Sequence, residues 1–141
     1  MSLLETPPLL ISDDEQEYID KAREEFKNPI LLPENKKVLF FYETDIDWQH
    51  LWRGKNCTQP PNKLRMQRIL WVKFILANKD IRVVKQRIFD GNIVFFCKEL
   101  CYLVVCQRLK RGDLKFITQY VKNANFEKEF NDPSQYQDCI I

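Results

Sequence analysis

The chain has 141 residues and a formal net charge of +2, enough length for one domain with a hydrophobic core and no disulfide staples. Its three glycines argue against a glycine-rich phosphate loop, and hence against nucleotide hydrolysis of the P-loop type. Residues 1–8 lack the pattern of a secretory signal, and no stretch approaches the roughly 18 apolar residues of a membrane span, so we expect a cytoplasmic protein without membrane contact.

The cysteines and the single histidine form no metal-ligand pattern. The five cysteines contain no C-x-x-C pair, and His50 has no neighbour at ligand spacing. Such cysteines are typical of buried thiols in a reducing compartment. We therefore expect no metal and no other cofactor.

The small net charge hides a strong asymmetry along the chain. Residues 1–35 carry nine acidic and three basic side chains, whereas residues 53–122 carry sixteen Lys or Arg and four Asp or Glu. A basic stretch built on patterned helix and strands indicates a surface for a polyanion, although many basic sheets are simply well solvated. We expect nucleic acid or an acidic surface as the partner.

The first third of the chain predicts an irregular lead, a helix and a strand. Residues 1–11 contain Pro7-Pro8 and show no usable period. The sequence S-D-D-E at 12–15 has the form of a capping box and predicts a helix over about residues 13–27, which ends before Pro29. A strand should follow at 37–43, then a short helix at 44–52 and a basic loop at 53–61.

The remainder predicts a second main helix and an antiparallel meander. Asn62 is a cap for a helix to about residue 78, and the strand-like segments are 81–89, 92–98, 101–109 and 114–122. Asp90-Gly91 is the strongest hairpin signal. We expect one α+β domain over residues 12–133, with two main N-terminal helices and an early strand, then three to four antiparallel strands with the helices on one face. Residues 125–130 could add a helical turn, and residues 134–141 should be a loose tail.

Five side chains are candidates for chemistry. Arg65 and Arg68 share a helix face and could hold phosphate oxygens in their guanidinium forks, unless the face is merely solvated. Thr118 and Tyr120 lie two apart and project from one side of a strand, although both are also ordinary strand formers. His50 is the side-chain type best suited to proton transfer near neutral pH, although a lone histidine is more often structural. Further bases could bind the substrate: Arg53, Lys55, Lys63, Arg108 and Lys115.

Three motifs carry a family resemblance. R-M-Q-R-I-L-W-V-K-F-I-L at 65–76, C-Y-L-V-V at 101–105 and L-K-F-I-T-Q-Y at 114–120 resemble the barnase, EndoU, colicin and RelE-like superfamily of nuclease toxins, in particular its phage-associated barnase-like members. The resemblance covers about residues 62–122. It implies a metal-independent endoribonuclease in which a base deprotonates a ribose 2′-hydroxyl. On that basis Arg65 or Arg68 holds phosphate, His50 is the acid or base, and Thr118 and Tyr120 line the site.

The resemblance also suggests transfer RNA or ribosome-bound message as the target, and an immunity or antitoxin protein as a partner. Two alternatives stay open. One is a non-catalytic nucleic-acid-binding module that uses the basic sheet, and the other is a protein-interaction module that uses aromatic side chains such as Phe95, Phe96 and Tyr102. A further hypothesis is that the acidic first helix packs against or shields the basic surface.

Overall fold

The computed structural model describes residues 5–54, 59–123 and 125–141. It is an α+β fold around one seven-stranded mixed sheet with the strand order β1-β2-β6-β5-β4-β3-β7. The strands are β1 (Ile30–Leu31), β2 (Lys37–Leu39), β3 (Val83–Arg87), β4 (Ile93–Cys97), β5 (Tyr102–Arg108), β6 (Leu114–Val121) and β7 (Tyr136–Asp138). The helices are α1 (Glu15–Phe26), α2 (Asp45–Trp48), α3 (His50–Arg53), α4 (Lys63–Gln67), α5 (Ile69–Ala77) and α6 (Phe126–Phe130). None of these helices is long and apolar enough to cross a membrane.

Helix α1 forms close to its predicted position but begins with a different cap. Its N-cap is Asp14, whose side chain accepts the Gln16 backbone N–H at 2.9 Å, whereas the Ser12 hydroxyl donates to the Glu17 carboxylate at 2.7 Å. Four residues of α1 form a buried apolar stripe: Tyr18, Ile19, Ala22 and Phe26. The stripe faces the sheet because residues three and four apart share one side of a helix.

The central meander follows the predicted turns. Strands β3, β4, β5 and β6 pair antiparallel in chain order, and Gly91 takes the positive φ of 74° that the turn between β3 and β4 requires. Between β5 and β6 the register shifts at Val105 and Cys106, which face Thr118 and Phe116, so Ile117 is an extra residue in β6. All five residues of β4 are buried, so the sheet is covered on both faces.

The two faces of the sheet carry separate cores. Phe95, Tyr102 and Phe116 point to the first face, which is covered by helices α1 to α5. Phe96 and Leu103 point to the second face, where the cluster is smaller and is completed by Phe126 and Phe130 of α6 and by Tyr136 of β7. The prediction that the helices lie on one face is therefore wrong, because α6 packs on the other.

Three further expectations need correction. The sheet has seven strands, whereas an early strand and three to four antiparallel strands were expected; β2 is the early strand, and β1 and β7 are additional strands at the two edges. Residues 134–141 are not a loose tail, because Tyr136 and Asp138 pair with Arg87 and Lys85 of β3. The second main helix is divided at Arg68, whose φ of −104° and ψ of 20° separate α4 from α5.

Candidate functional site

Near the C-terminal end of β6, Tyr120 lies beside two cations. The guanidinium carbon of Arg65 is 4.8 Å from the centre of the Tyr120 ring, and the Lys122 Nζ is 5.4 Å from it. Both distances are within the range of cation–π attraction. The structure thus brings together two of the predicted site residues, Arg65 and Tyr120, that are far apart in the sequence.

Arg65 reaches Tyr120 because β6 is only partly covered along its outer edge. Within the described residues, β2 pairs with β6 only at Leu114 and Lys115. Helix α4 lies against β6 and brings Arg65 to the strand. The Arg65 Nε is buried, and no hydrogen-bond partner for it is found in the part of the chain that the structure describes. The guanidinium group has further donors on its two Nη atoms, and these suit it to binding an anion.

Tyr120 opens onto a pocket of about 320 Å³ on the second face of the sheet. Residues from five elements and three connecting segments line the pocket, among them Phe89, Tyr120, Lys122, Glu129 and Tyr136. A volume near the lower end of the range for ligand pockets, roughly 300 to 1,000 Å³, suits a group the size of one nucleotide. The walls combine aromatic rings with two cations, Arg87 and Lys122, and one carboxylate, Glu129.

Arg87 lies in the wall of this pocket, and Asp90 holds it in place. Asp90 accepts hydrogen bonds from Arg87 Nε and Nη2, the shortest at 2.8 Å. Burial lowers the pKa of Arg87, but hydrogen bonds and the charge of Asp90 outweigh it, so that pKa is raised. Burial raises the pKa of Tyr136, and the nearby Arg87 opposes this rise. Arg87 therefore stays charged and fixed between Tyr136 and the ring of Phe89, which is 4.8 Å from its guanidinium carbon.

Thr118 and Tyr120 share the second face, as predicted from their spacing. Thr118 pairs with Val105 and Tyr120 pairs with Leu103, and both partners belong to the second core. Between them, Gln119 points to the first face, where its side chain accepts a hydrogen bond of 2.7 Å from the Tyr102 hydroxyl. Thr118 is thus on the same side of β6 as the pocket.

The Arg68 side chain contacts residues of α4 and α5 rather than the pocket. Its guanidinium carbon is 4.9 Å from the Trp71 ring centre, and its Nη1 donates to the Leu64 carbonyl at 3.1 Å. Burial raises the pKa of Tyr102, whereas the positive charges of Arg65 and Arg68 oppose this rise. The two arginines therefore lie near one buried hydroxyl, although only Arg65 is placed over Tyr120.

His50 lies on the first face of the sheet. Its ring is stacked with Tyr42, with 5.9 Å between the ring centres, and its Nδ1 is 2.8 Å from the Asp47 carbonyl oxygen. Tyr42 in turn contacts Trp48 of the first core. Because Tyr120 projects from the second face, the sheet lies between His50 and the pocket.

Arg53 is bound by the acidic first helix. Its Nε and Nη2 donate to the Glu15 carboxylate at 2.9 and 3.0 Å, and Trp52 Nε1 donates to the same carboxylate at 2.8 Å. The hydrogen bond from Arg53 is the largest influence on Glu15 and lowers its pKa. Arg53 and Arg65 line a second, more open cleft of about 400 Å³.

The other predicted substrate-binding residues are spread over the surface. Lys63 is exposed at the start of α4. Arg108 donates to the Ile140 carbonyl at 3.0 Å, and the Lys115 Nζ is 5.6 Å from the Phe41 ring centre, both at the opposite end of β6 from Tyr120. Lys55 lies outside the described residues.

The sequence analysis missed most of the pocket lining, including Arg87, Phe89, Lys122, Glu129 and Tyr136. Phe89 follows β3 and directly precedes the Asp90-Gly91 turn. The turn has a recognisable sequence signal, but an exposed aromatic residue next to a turn has no distinctive pattern. Glu129 and Tyr136 belong to α6 and β7, where only a helical turn and a loose tail were expected. Among the described residues, no group of three His, Cys, Asp or Glu side chains is arranged to hold a metal ion.

Comparisons of the chain with protein-family models, with curated proteins and with solved structures found no match in any of the three. Function is therefore inferred from the geometry of the pocket and from the sequence motifs.

Proposed function

We propose that the chain is a metal-independent endoribonuclease of the toxin or phage-associated type, with its site at the pocket beside Tyr120. The observation that supports this best is Tyr120 with Arg65 at 4.8 Å and Lys122 at 5.4 Å, at the edge of a nucleotide-sized pocket. Arginine and lysine are the residues that bind phosphate, and arginine can hold two oxygens at once. The sequence motifs that resemble nuclease toxins include both Arg65 and Tyr120.

The pocket holds the side-chain types that this reaction needs. A ribose 2′-hydroxyl would give its proton to the exposed Glu129 carboxylate and attack the adjacent phosphorus. The bond to the 5′-oxygen would break, and the Tyr120 phenol would donate a proton to that oxygen. Arg65 and Lys122 would stabilise the additional negative charge on the phosphate, and Thr118 would hydrogen-bond to phosphate or ribose.

The test is incubation of the purified chain with labelled transfer RNA and total RNA in EDTA. We expect discrete cleavage that survives EDTA and falls at least tenfold in Tyr120→Phe and Glu129→Gln, which corresponds to about 1.4 kcal/mol of transition-state stabilisation. Lys110→Gln is the matched control, because Lys110 is exposed in the turn between β5 and β6, at the other end of β6. It should cleave like the wild type.

Three results would contradict parts of this proposal. Loss of cleavage in EDTA would refute the metal-independent reaction. Undiminished cleavage in both Tyr120→Phe and Glu129→Gln would refute the site. A loss confined to His50→Ala would place the chemistry on the first face of the sheet, where His50 was predicted to act as acid or base.

The second candidate is a non-catalytic nucleic-acid-binding module. It is favoured by the position of His50, the only histidine of the chain, on the opposite face from Tyr120. Binding of RNA without cleavage, weakening steeply as salt rises, would support this candidate over the enzyme. Binding to a protein partner with little salt dependence would instead support a protein-interaction module.

The motifs also support proposals on context. Transfer RNA or ribosome-bound message is the proposed target, and an immunity or antitoxin protein would act by covering the pocket. A cytoplasmic location is proposed from the cysteines, of which Cys97, Cys101, Cys106 and Cys139 are free thiols.

A further inference from the structure

Phe89 is the most exposed aromatic side chain around the pocket. Its relative exposure is 81%, although the residue stands directly beside a folded hairpin turn. The guanidinium carbon of Arg87 is 4.8 Å from the centre of its ring. The Phe89 ring therefore packs against a side chain whose position is itself fixed. The Asp90 carboxylate accepts hydrogen bonds from Nε and Nη2 of Arg87. It also accepts a hydrogen bond of 3.0 Å from the Asn92 backbone N–H.

The surroundings of Phe89 are aromatic and cationic. Phe89, Tyr120 and Tyr136 line the same pocket, and Lys122 lies on the pocket wall with its Nζ beside the Tyr120 ring. Aromatic and arginine planes are the groups on which proteins stack unpaired bases, while lysine and arginine contact the linking phosphates. Arg87 is already paired with Asp90, so the positive charge that favours nucleic acid over an apolar protein segment as the occupant is that of Lys122.

We propose that Phe89, braced by Arg87, is a stacking platform for one unpaired RNA base. This inference rests on the proposed function, because it uses the same pocket, and it adds the class of substrate. Bases inside a duplex are already stacked and paired, so their faces cannot reach the Phe89 ring. The substrate is therefore RNA that is single-stranded at the site, with its base on Phe89 and the adjacent phosphate at Lys122 and Arg65.

The test compares binding of the full chain to a fluorescent single-stranded RNA and to its duplex at one fixed salt concentration. Wild type should bind the single strand at least about tenfold more tightly. Phe89→Ala should weaken that binding by about five- to 160-fold, the range typical of truncating a stacking aromatic. Phe89→Tyr retains an aromatic ring and should stay close to wild type.

Phe41→Ala is the matched control for Phe89→Ala. Phe41 is also an exposed ring, at 57%, with a cation, Lys115, 5.6 Å from its centre, but it lies away from the pocket. It should bind the single strand like wild type. Circular dichroism and thermal melting would check that each variant is folded, and the exposure of both rings makes folding of both alanine variants the expected result.

The outcomes separate this inference from the proposed function. If wild type binds and cleaves RNA but Phe89→Ala binds equally well, or the duplex binds as tightly as the single strand, the stacking platform is refuted and the ribonuclease stands. Equal losses in Phe41→Ala and Phe89→Ala would also refute it. If wild type neither binds nor cleaves RNA, both proposals fail together.

Discussion

Arg82 offers the sharpest test of what holds this fold together. Its side chain is only 1% exposed and lies on the first face of the sheet, between the end of α5 and the segment before β2. Its Nε donates to the Ile75 carbonyl at 3.0 Å, and its Nη2 donates to the Leu76 carbonyl at 2.9 Å. These carbonyls belong to the last turn of α5, where no following helical amide can bond them. Arg82 also forms two hydrogen bonds to the Glu34 carboxylate, at 2.9 and 3.0 Å.

We expect Arg82→Met to lower the free energy of unfolding by about 3 kcal/mol. Methionine keeps much of the buried chain length but leaves the two carbonyls without their donor and Glu34 without its partner. Removing one member of a buried ion pair costs about 3 to 5 kcal/mol, and we take the lower value because Glu34, at 18% exposure, can regain some water. A loss of this size is a large part of the 5 to 15 kcal/mol that is typical of a domain.

The assay is urea denaturation followed by tryptophan fluorescence, which gives the midpoint and slope for each variant. Lys98→Gln is the matched control, because the ion pair of Lys98 with Glu127 is exposed and should contribute little. A loss below about 1 kcal/mol for Arg82→Met would refute the reasoning, since it would mean that apolar packing replaces the ion pair at no cost.

Three more predictions follow from single contacts. Tyr102→Phe should cost about 1 to 2 kcal/mol in urea, because the buried Gln119 oxygen loses its donor; an unchanged midpoint would contradict this. The folded-state pKa of Glu15 is lowered chiefly by Arg53. The stability that the Glu15–Arg53 pair adds to the fold is therefore present above the ordinary glutamate pKa of about 4.3, and it is lost as pH falls through the lower pKa of the folded state. The thermal midpoint should then fall less on acidification in Glu15→Gln than in wild type, and identical curves would be the contrary result. Lys122→Gln should reduce the slope of log RNA affinity against log salt by about one, and an unchanged slope would remove Lys122 from the phosphate contacts.

The elements that the sequence predicted are those with local signals. Helix α1 has a regular apolar stripe, and the strands of the meander are separated by turn residues, of which Asp90-Gly91 is the clearest. The short strands β1 and β7 have two and three residues, too few to show an alternating pattern. Pairing of β2 with β6 in parallel joins residues such as Val38 and Leu114, and no local rule predicts it.

The site was predicted only in part for the same reason. Spacing alone correctly placed Thr118 and Tyr120 on one side of a strand, but it could not show that Arg65 reaches Tyr120 around the partly covered edge of β6. Charge counts made Arg53 a candidate for substrate binding, yet they contain no information on its bonds to Glu15. One acidic residue of the first helix, Glu15, does neutralise a base of the basic stretch, Arg53.

The strand order has a consequence for how the chain folds. Strands β3 to β6 pair with their neighbours in the sequence, so the meander can form by successive hairpins with short loops to close. Strands β2 and β7 pair with distant partners and must close long loops, a step that is intrinsically slow. We therefore expect the meander to gain protection from hydrogen exchange first, while the pocket, whose wall includes Tyr136 of β7, is completed only when the last edge strand docks.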